Sequence, residues 1–96
     1  MNSFVLSPRA IGDIDDIWDY TAINWGTEQA EYYVRQIEAA IKAAAGNPHL
    51  GRACDDIRAG YFKLRCGSHV LFYRKTAAGI DIVRILHARM DFERHM

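Results

Sequence analysis

Between Thr27 and Ala44 apolar residues recur every three to four positions: Ala30, Tyr33, Val34, Ile37, Ala40, Ile41 and Ala44. That period is one face of an amphipathic helix, which must find a surface to pack on. Past Ile57 the texture changes. Tyr61–Cys66, His69–Lys75 and Ile80–His87 are rich in β-branched and aromatic residues, separated by Gly67-Ser68 and by Ala77-Ala78-Gly79. Three strands joined by tight turns supply the surface the helix needs.

The segment before Thr27 repeats the helical theme. Phe4-Val5-Leu6 reads as a short strand, after which Ser7 offers an N-cap oxygen and Pro8 suits the first helical turn. Ile11, Ile14, Trp18 and Thr21 follow at helical spacing, with Ile17 widening the stripe, while Asp13, Asp15, Asp16 and Asp19 lie mostly off it. Gly26 is expected as a left-handed cap closing this helix, and Thr27 as the cap of the next, which ends at Gly46-Asn47-Pro48. A turn this short makes the helices an antiparallel hairpin, with Ala40 and Ala44 allowing close packing. The order is β-α-α-β-β-β: one α+β domain over residues 1–96, a helical hairpin packed on a small antiparallel sheet. Ile80–Leu86, apolar on both faces, is expected to be the most central strand. Phe72 and Tyr73 fall on opposite faces, one core and the other exposed or interfacial, and a helical turn can follow Asp91.

Composition limits what such a domain can be. Half of the 96 residues are apolar and only 2 are proline, which excludes disordered and low-complexity chains. At this length roughly 60–70% of the extended-chain surface is buried, enough for one thin core. The longest apolar run, Val70 to Tyr73, is far too short to span a bilayer, and Met1-Asn2-Ser3-Phe4 does not open a signal peptide. With two cysteines, Cys54 and Cys66, there is no disulfide framework, so a reducing cytoplasm and no membrane are expected. The zero net charge conceals a polarity. Residues 1–48 hold three basic and seven acidic side chains, residues 49–96 nine basic and five acidic. An acidic half and a basic half can meet different neighbours, although helices also collect solvated acids by composition alone.

Motifs for chemistry are sparse. Cys66 and His69 sit three apart, while His49, His87 and His95 are scattered, so no metal is expected. Ser3, Ser7 and Ser68 read as turn or cap residues. There is no Gly-rich phosphate loop, and no cofactor is expected.

Taken together, several segments resemble the ParE branch of the RelE/ParE toxins, the small bacterial toxins of type II toxin–antitoxin pairs. They are Leu6-Ser7-Pro8-Arg9-Ala10, Asp15-Asp16-Ile17-Trp18-Asp19-Tyr20, Trp25-Gly26 and Asn47-Pro48-His49-Leu50-Gly51-Arg52. Arg58-Ala59-Gly60-Tyr61, Gly67 to Arg74 and Val83-Arg84-Ile85-Leu86-His87 complete the set across essentially the whole chain.

The resemblance implies a growth inhibitor acting on DNA gyrase, neutralised by a ParD-like antitoxin with a ribbon-helix-helix head and an initially disordered C-terminal tail. DNA would be touched only through the toxin–antitoxin complex. An acidic, amphipathic tail would run from the hairpin onto the basic sheet. Ile14, Trp18 and Tyr33 would be its apolar contacts, although residues at helical spacing ordinarily pack inward. Arg58, Lys63, Arg65 and Arg74 would be its charge contacts, leaving Arg84, His87 and Arg89 for the target. The alternative is the ribosome-dependent messenger-RNA endoribonuclease of the RelE branch, which needs groups to activate a 2′-hydroxyl and protonate a leaving oxygen. Lys63, Arg65, Arg74, Arg84 and Arg89 supply charge, and His87 and His95 could act as acids. Against it, Val70 replaces an arginine typical of that branch, and the tail Asp91 to Met96 has no tyrosine. No catalytic residue is therefore assigned, and the chain is read as a protein-binding toxin.

Overall fold

Ser7 starts the first helix and also ties it to the far end of the chain. Its Oγ accepts the Ala10 N–H at 3.0 Å and donates to the Val83 carbonyl at 2.7 Å. In the computed structural model, which describes residues 3–90, β1 (Ser3–Leu6) leads through this cap into α1 (Pro8–Trp25). Then come α2 (Thr27–Gly46), a 3-10 turn at Pro48–Leu50, β2 (Arg52–Ala53), β3 (Tyr61–Cys66), β4 (His69–Lys75) and β5 (Gly79–His87). The helical turn expected after Asp91, and His95, lie outside the described residues.

The five strands form one sheet in the order β1-β5-β4-β3-β2. β3, β4 and β5 make the expected antiparallel meander, but β1 pairs parallel to β5, so the sheet is mixed. The middle strand is β4, not β5, although β5 has neighbours on both sides. Gly79 permits the β1 pairing: a Cβ there would collide with the Ser3 backbone.

Helices α1 and α2 cover one face, burying Ile17, Ile37, Ile41, Leu71, Tyr73, Ile80, Ile82 and Ile85. The inward face of α1 is rotated from the expected stripe. Ala10, Ile17 and Thr21 are buried and Ile14 half-buried, whereas Ile11 and Trp18 are exposed. The small Ala10 lets the helix approach the sheet, and Thr21 enters the core by donating its hydroxyl to the Ile17 carbonyl at 2.7 Å. Gly26 has a positive φ of 97°, but its ψ of 161° is not the left-handed helical value, and Gly26 rather than Thr27 occupies the N-cap of α2.

Phe72 and Tyr73 are both buried, contrary to expectation. The loop from Cys54 to Gly60 folds over the far face, where Cys54, Phe72 and Leu86 form a second small core with Ile57, Tyr61 and Val70. Cys54 thereby gains a packing role, and burial pushes its thiol pKa up, which disfavours the reactive thiolate. Tyr73 lies under the helices, its hydroxyl donating to the Pro48 carbonyl at 2.8 Å and accepting the Gly51 N–H at 2.9 Å.

The β4–β5 ladder contains a bulge. Phe72 faces Arg84 while Tyr73 faces Ile82, so Val83 has no partner. The bulge switches the alternation: Ile80 and Ile82 face the helices before it, Ile85 after it. Leu86 consequently faces the second core.

Candidate functional site

At one end of the molecule the helices and the sheet leave an open groove of about 880 Å³. Ile17, Tyr20, Thr21 and Trp25 of α1, with Gln29 and Tyr33 of α2, form one wall; Ser68, His69 and Arg84 through His87 form the other, and Met90 closes it.

The bulge at Val83 precedes Arg84, whose guanidinium meets Asp13 of α1 in a two-pronged pair. Nε donates to Oδ2 and Nη2 to Oδ1, each at 2.8 Å, and the Ile85 N–H adds a bond to Oδ2 at 2.9 Å. Both side chains are largely enclosed, at 14% and 11% exposure. Those hydrogen bonds, outweighing the cost of burial, raise the Arg84 pKa above its ordinary value. The sequence places Asp13 off the apolar stripe of α1; its partner is 71 residues away in sequence.

Beside this pair is a Tyr-His-His cluster. The Tyr33 hydroxyl accepts the Ser68 N–H at 3.0 Å and lies 2.6 Å from His69 Nδ1 and 3.3 Å from the Cys66 carbonyl. Burial, reinforced by His87 and opposed by Asp13, lowers the His69 pKa. Burial likewise raises that of Tyr33. The His69 and His87 rings meet edge to face at 5.4 Å, and His87 Nδ1 accepts the Arg89 N–H at 3.1 Å. Gly67, at φ 58°, approaches Tyr33 so closely that a Cβ would strike its ring. Among the described residues no three His, Cys, Asp or Glu side chains gather to hold a metal ion.

Of the residues singled out in the sequence, Tyr33, Arg84 and His87 line the groove. Ile14 packs on the main core instead, and Trp18 is on α1 outside the groove. Strand alternation and the two cores put Lys63, Arg65 and Arg74 on the sheet face away from the helices. There Arg74 Nε pairs with Asp81 at 3.3 Å. The Arg58 guanidinium lies over the Tyr61 ring at 5.8 Å. Arg65 and Arg89 share with Ser68, His87 and Ala88 a second depression adjoining the groove. The groove residues missed in the sequence include Asp13, Tyr20, Trp25 and His69. Tyr20 and Trp25, 66% and 71% exposed, carry a signal only in hindsight: large aromatics outside the inward stripe.

No helix among the described residues is long and apolar enough to cross a membrane. The chain is 54% identical over 94 residues to Toxin ParE1 of Mycobacterium tuberculosis (strain H37Rv), covering 97% of this chain and 96% of that protein. It is 42% identical over 96 residues to Toxin ParE1 of Caulobacter vibrioides, covering 100% and 99% respectively. A chain of the solved chromosomal ParDE TA system from P. aeruginosa shares the fold, with a TM-score of 0.78 at 23% identity over 88% of this chain and 94% of that one. Residues 4–92 match the family described as the ParE toxin of the type II toxin–antitoxin system, parDE. With a match of that extent and relatives that align end to end, this chain belongs to the ParE toxin family of type II toxin–antitoxin systems.

Proposed function

We propose that this toxin arrests growth in the cytoplasm by binding DNA gyrase, and that a ParD-like antitoxin neutralises it by laying its tail in the groove between α1 and β5. The observation carrying this reading is the end-to-end similarity to ParE toxins, joined to a groove whose helix wall carries Tyr20, Trp25 and Tyr33 and whose sheet wall carries His69, Arg84 and His87. Such a surface suits an amphipathic helix that folds as it binds. The antitoxin would have a ribbon-helix-helix head that makes the DNA contacts, and its acidic residues would meet Arg58, Lys63, Arg65 and Arg74. Arg84, His87 and Arg89 would face the target in the free toxin, when no tail lies in the groove. No bond-making step is assigned to the toxin. The groups best suited to acid–base work are already engaged: His69 Nδ1 with Tyr33, His87 Nδ1 with the Arg89 N–H, Arg84 with Asp13.

The closeness of His69 and His87 keeps one other reading in view, metal-independent cleavage of RNA, because two imidazoles 5.4 Å apart could act as base and acid. One experiment separates the two. Expression of the toxin should stop growth, and co-expression of the antitoxin should restore it. The purified toxin should inhibit gyrase supercoiling or raise cleaved-complex DNA while leaving ribosome-bound messenger RNA intact. Codon-specific cuts by primer extension, lost in His87→Ala, would replace the gyrase reading with the ribonuclease one.

A further inference from the structure

We propose that the outward face of α1, built by Ile11, Asp15, Trp18, Asp19 and Ile23, is a second protein-docking surface, separate from the groove, and that it takes a basic amphipathic helix of the toxin's target. The inference rests on the chain being a growth-arresting, protein-binding toxin, and it holds whichever protein is the target.

Three observations carry it. First, the face is apolar where a merely solvated helix would be polar. Ile11, Trp18 and Ile23 are 49%, 37% and 83% exposed. Ile11, Asp15, Trp18 and Ala22 follow one another at the spacing of a single helix face, with Asp19 and Ile23 beside them. One exposed isoleucine is ordinary, but three large apolar side chains along about 18 Å of one helix make a strip as long as about three turns of a partner helix. Second, the strip is distinct from the groove and from both cores. α1 lines the groove with Asp13, Asp16, Ile17, Tyr20, Thr21 and Trp25, and Ile11, Trp18 and Ile23 belong to neither core. Third, the strip is acidic. Asp15 and Asp19 are exposed, and neither has an ion-pair partner among the described residues. The one basic residue of α1, Arg9, lies in its first turn, before the strip begins.

Charge selects the occupant. Nucleic-acid phosphates and anionic lipid headgroups would meet Asp15 and Asp19 as like charges, and so would an acidic antitoxin tail. A second copy packing α1 on α1 about a twofold axis would set the same aspartates against their equivalents. A helix with apolar residues at i, i+4 and i+7, flanked by Lys or Arg, satisfies both parts of the surface. Its apolar side chains cover Ile11, Trp18 and Ile23, and its cations meet the two carboxylates. Tryptophan is among the residue types that most often anchor such contacts, while the carboxylates at the edge set association rate and register.

The test reads growth arrest by the full-length toxin, which needs no prior choice of target. Wild type is compared with Asp19→Lys, with the Ile11→Ser/Ile23→Ser double variant and with Glu38→Lys, which makes the same charge change on an exposed position of α2. All the substituted residues are exposed, and melting temperatures confirm that each variant is folded. At equal soluble toxin, Asp19→Lys and the double variant should leave at least about tenfold more viable cells than wild type, and Glu38→Lys should arrest growth fully. Affinity for the full-length antitoxin should be unchanged in all three. Arrest by both strip variants at wild-type strength would refute the docking face and leave the gyrase reading untouched. Loss of arrest in the double variant alone would mean that the partner is not basic, and loss of antitoxin affinity in step with arrest would give the face to the antitoxin; either overturns the proposal. A toxin that sediments as a dimer, and as a monomer in the double variant, would make a second copy the occupant and overturn it too. If wild type leaves gyrase supercoiling unaffected while both strip variants lose arrest, the gyrase reading falls and the docking face stands.

Discussion

Replacing Asp13 with alanine tests how far the fold depends on one contact between its two halves. The carboxylate accepts three hydrogen bonds, two from Arg84 and one from the Ile85 N–H. Its removal takes the Asp13 carboxylate from a largely enclosed guanidinium and leaves a part-buried amide without that acceptor. Breaking a buried pair from one side costs about 3–5 kcal/mol. Because both side chains keep some contact with water, the lower end of the range applies, about 3 kcal/mol. In a domain of this size each kcal/mol moves the melting temperature by about 4–8 °C, so Asp13→Ala should melt roughly 12–24 °C lower. Calorimetry of wild type, Asp13→Ala, Arg84→Met and the double variant forms a closed cycle. Once Arg84 is apolar, losing Asp13 should cost much less, so the double variant should be more stable than the two single losses added together. A melting point for Asp13→Ala within about 3 °C of wild type would show that the pair contributes little and that the reasoning is wrong.

Other expected outcomes concern the groove and the sheet. The folded-state pKa of His69 lies below its ordinary value of 6.5, so the unfolded chain takes up the proton first as pH falls. Its contribution to stability is therefore fully present above about pH 6.5 and declines as pH drops toward the folded value; urea melts at several pH values should show this slope, flattened in His69→Gln. Gly79→Ala should separate β1 from β5, costing about 2 kcal/mol, read as faster hydrogen exchange in β1 and a lower melting point. Trp18, 37% exposed, should tolerate Trp18→Leu with its melting temperature preserved. If Trp18 anchors the antitoxin, that variant should release it about tenfold faster in a dissociation assay, whereas wild-type kinetics would remove Trp18 from the interface.

The local order of this fold was written in the local sequence. Ser7-Pro8 starts a helix because a hydroxyl cap and a missing N–H suit that position wherever they occur, and the α2 stripe buries the Ala30, Ile37, Ile41 and Ala44 it predicts. The boundaries of β3 and β4 follow the Gly67-Ser68 turn, since glycine there takes a positive φ. What the sequence could not show were relations between residues far apart. The parallel pairing of β1 with β5 depends on which sheet edge the chain reaches after the helical hairpin, and no local pattern encodes that. The rotated face of α1 buries Ala10, whose small side chain matters only once a sheet lies against it. The bulge at Val83 breaks the two-residue alternation that a sequence reading assumes, and the same stretch of β5 carries Arg84 to Asp13. Helical and strand periodicities are properties of neighbouring residues; the groove, with Tyr33 from one helix, Asp13 from the other and His69, Arg84 and His87 from two strands, exists only where tertiary packing brings separate periodicities together.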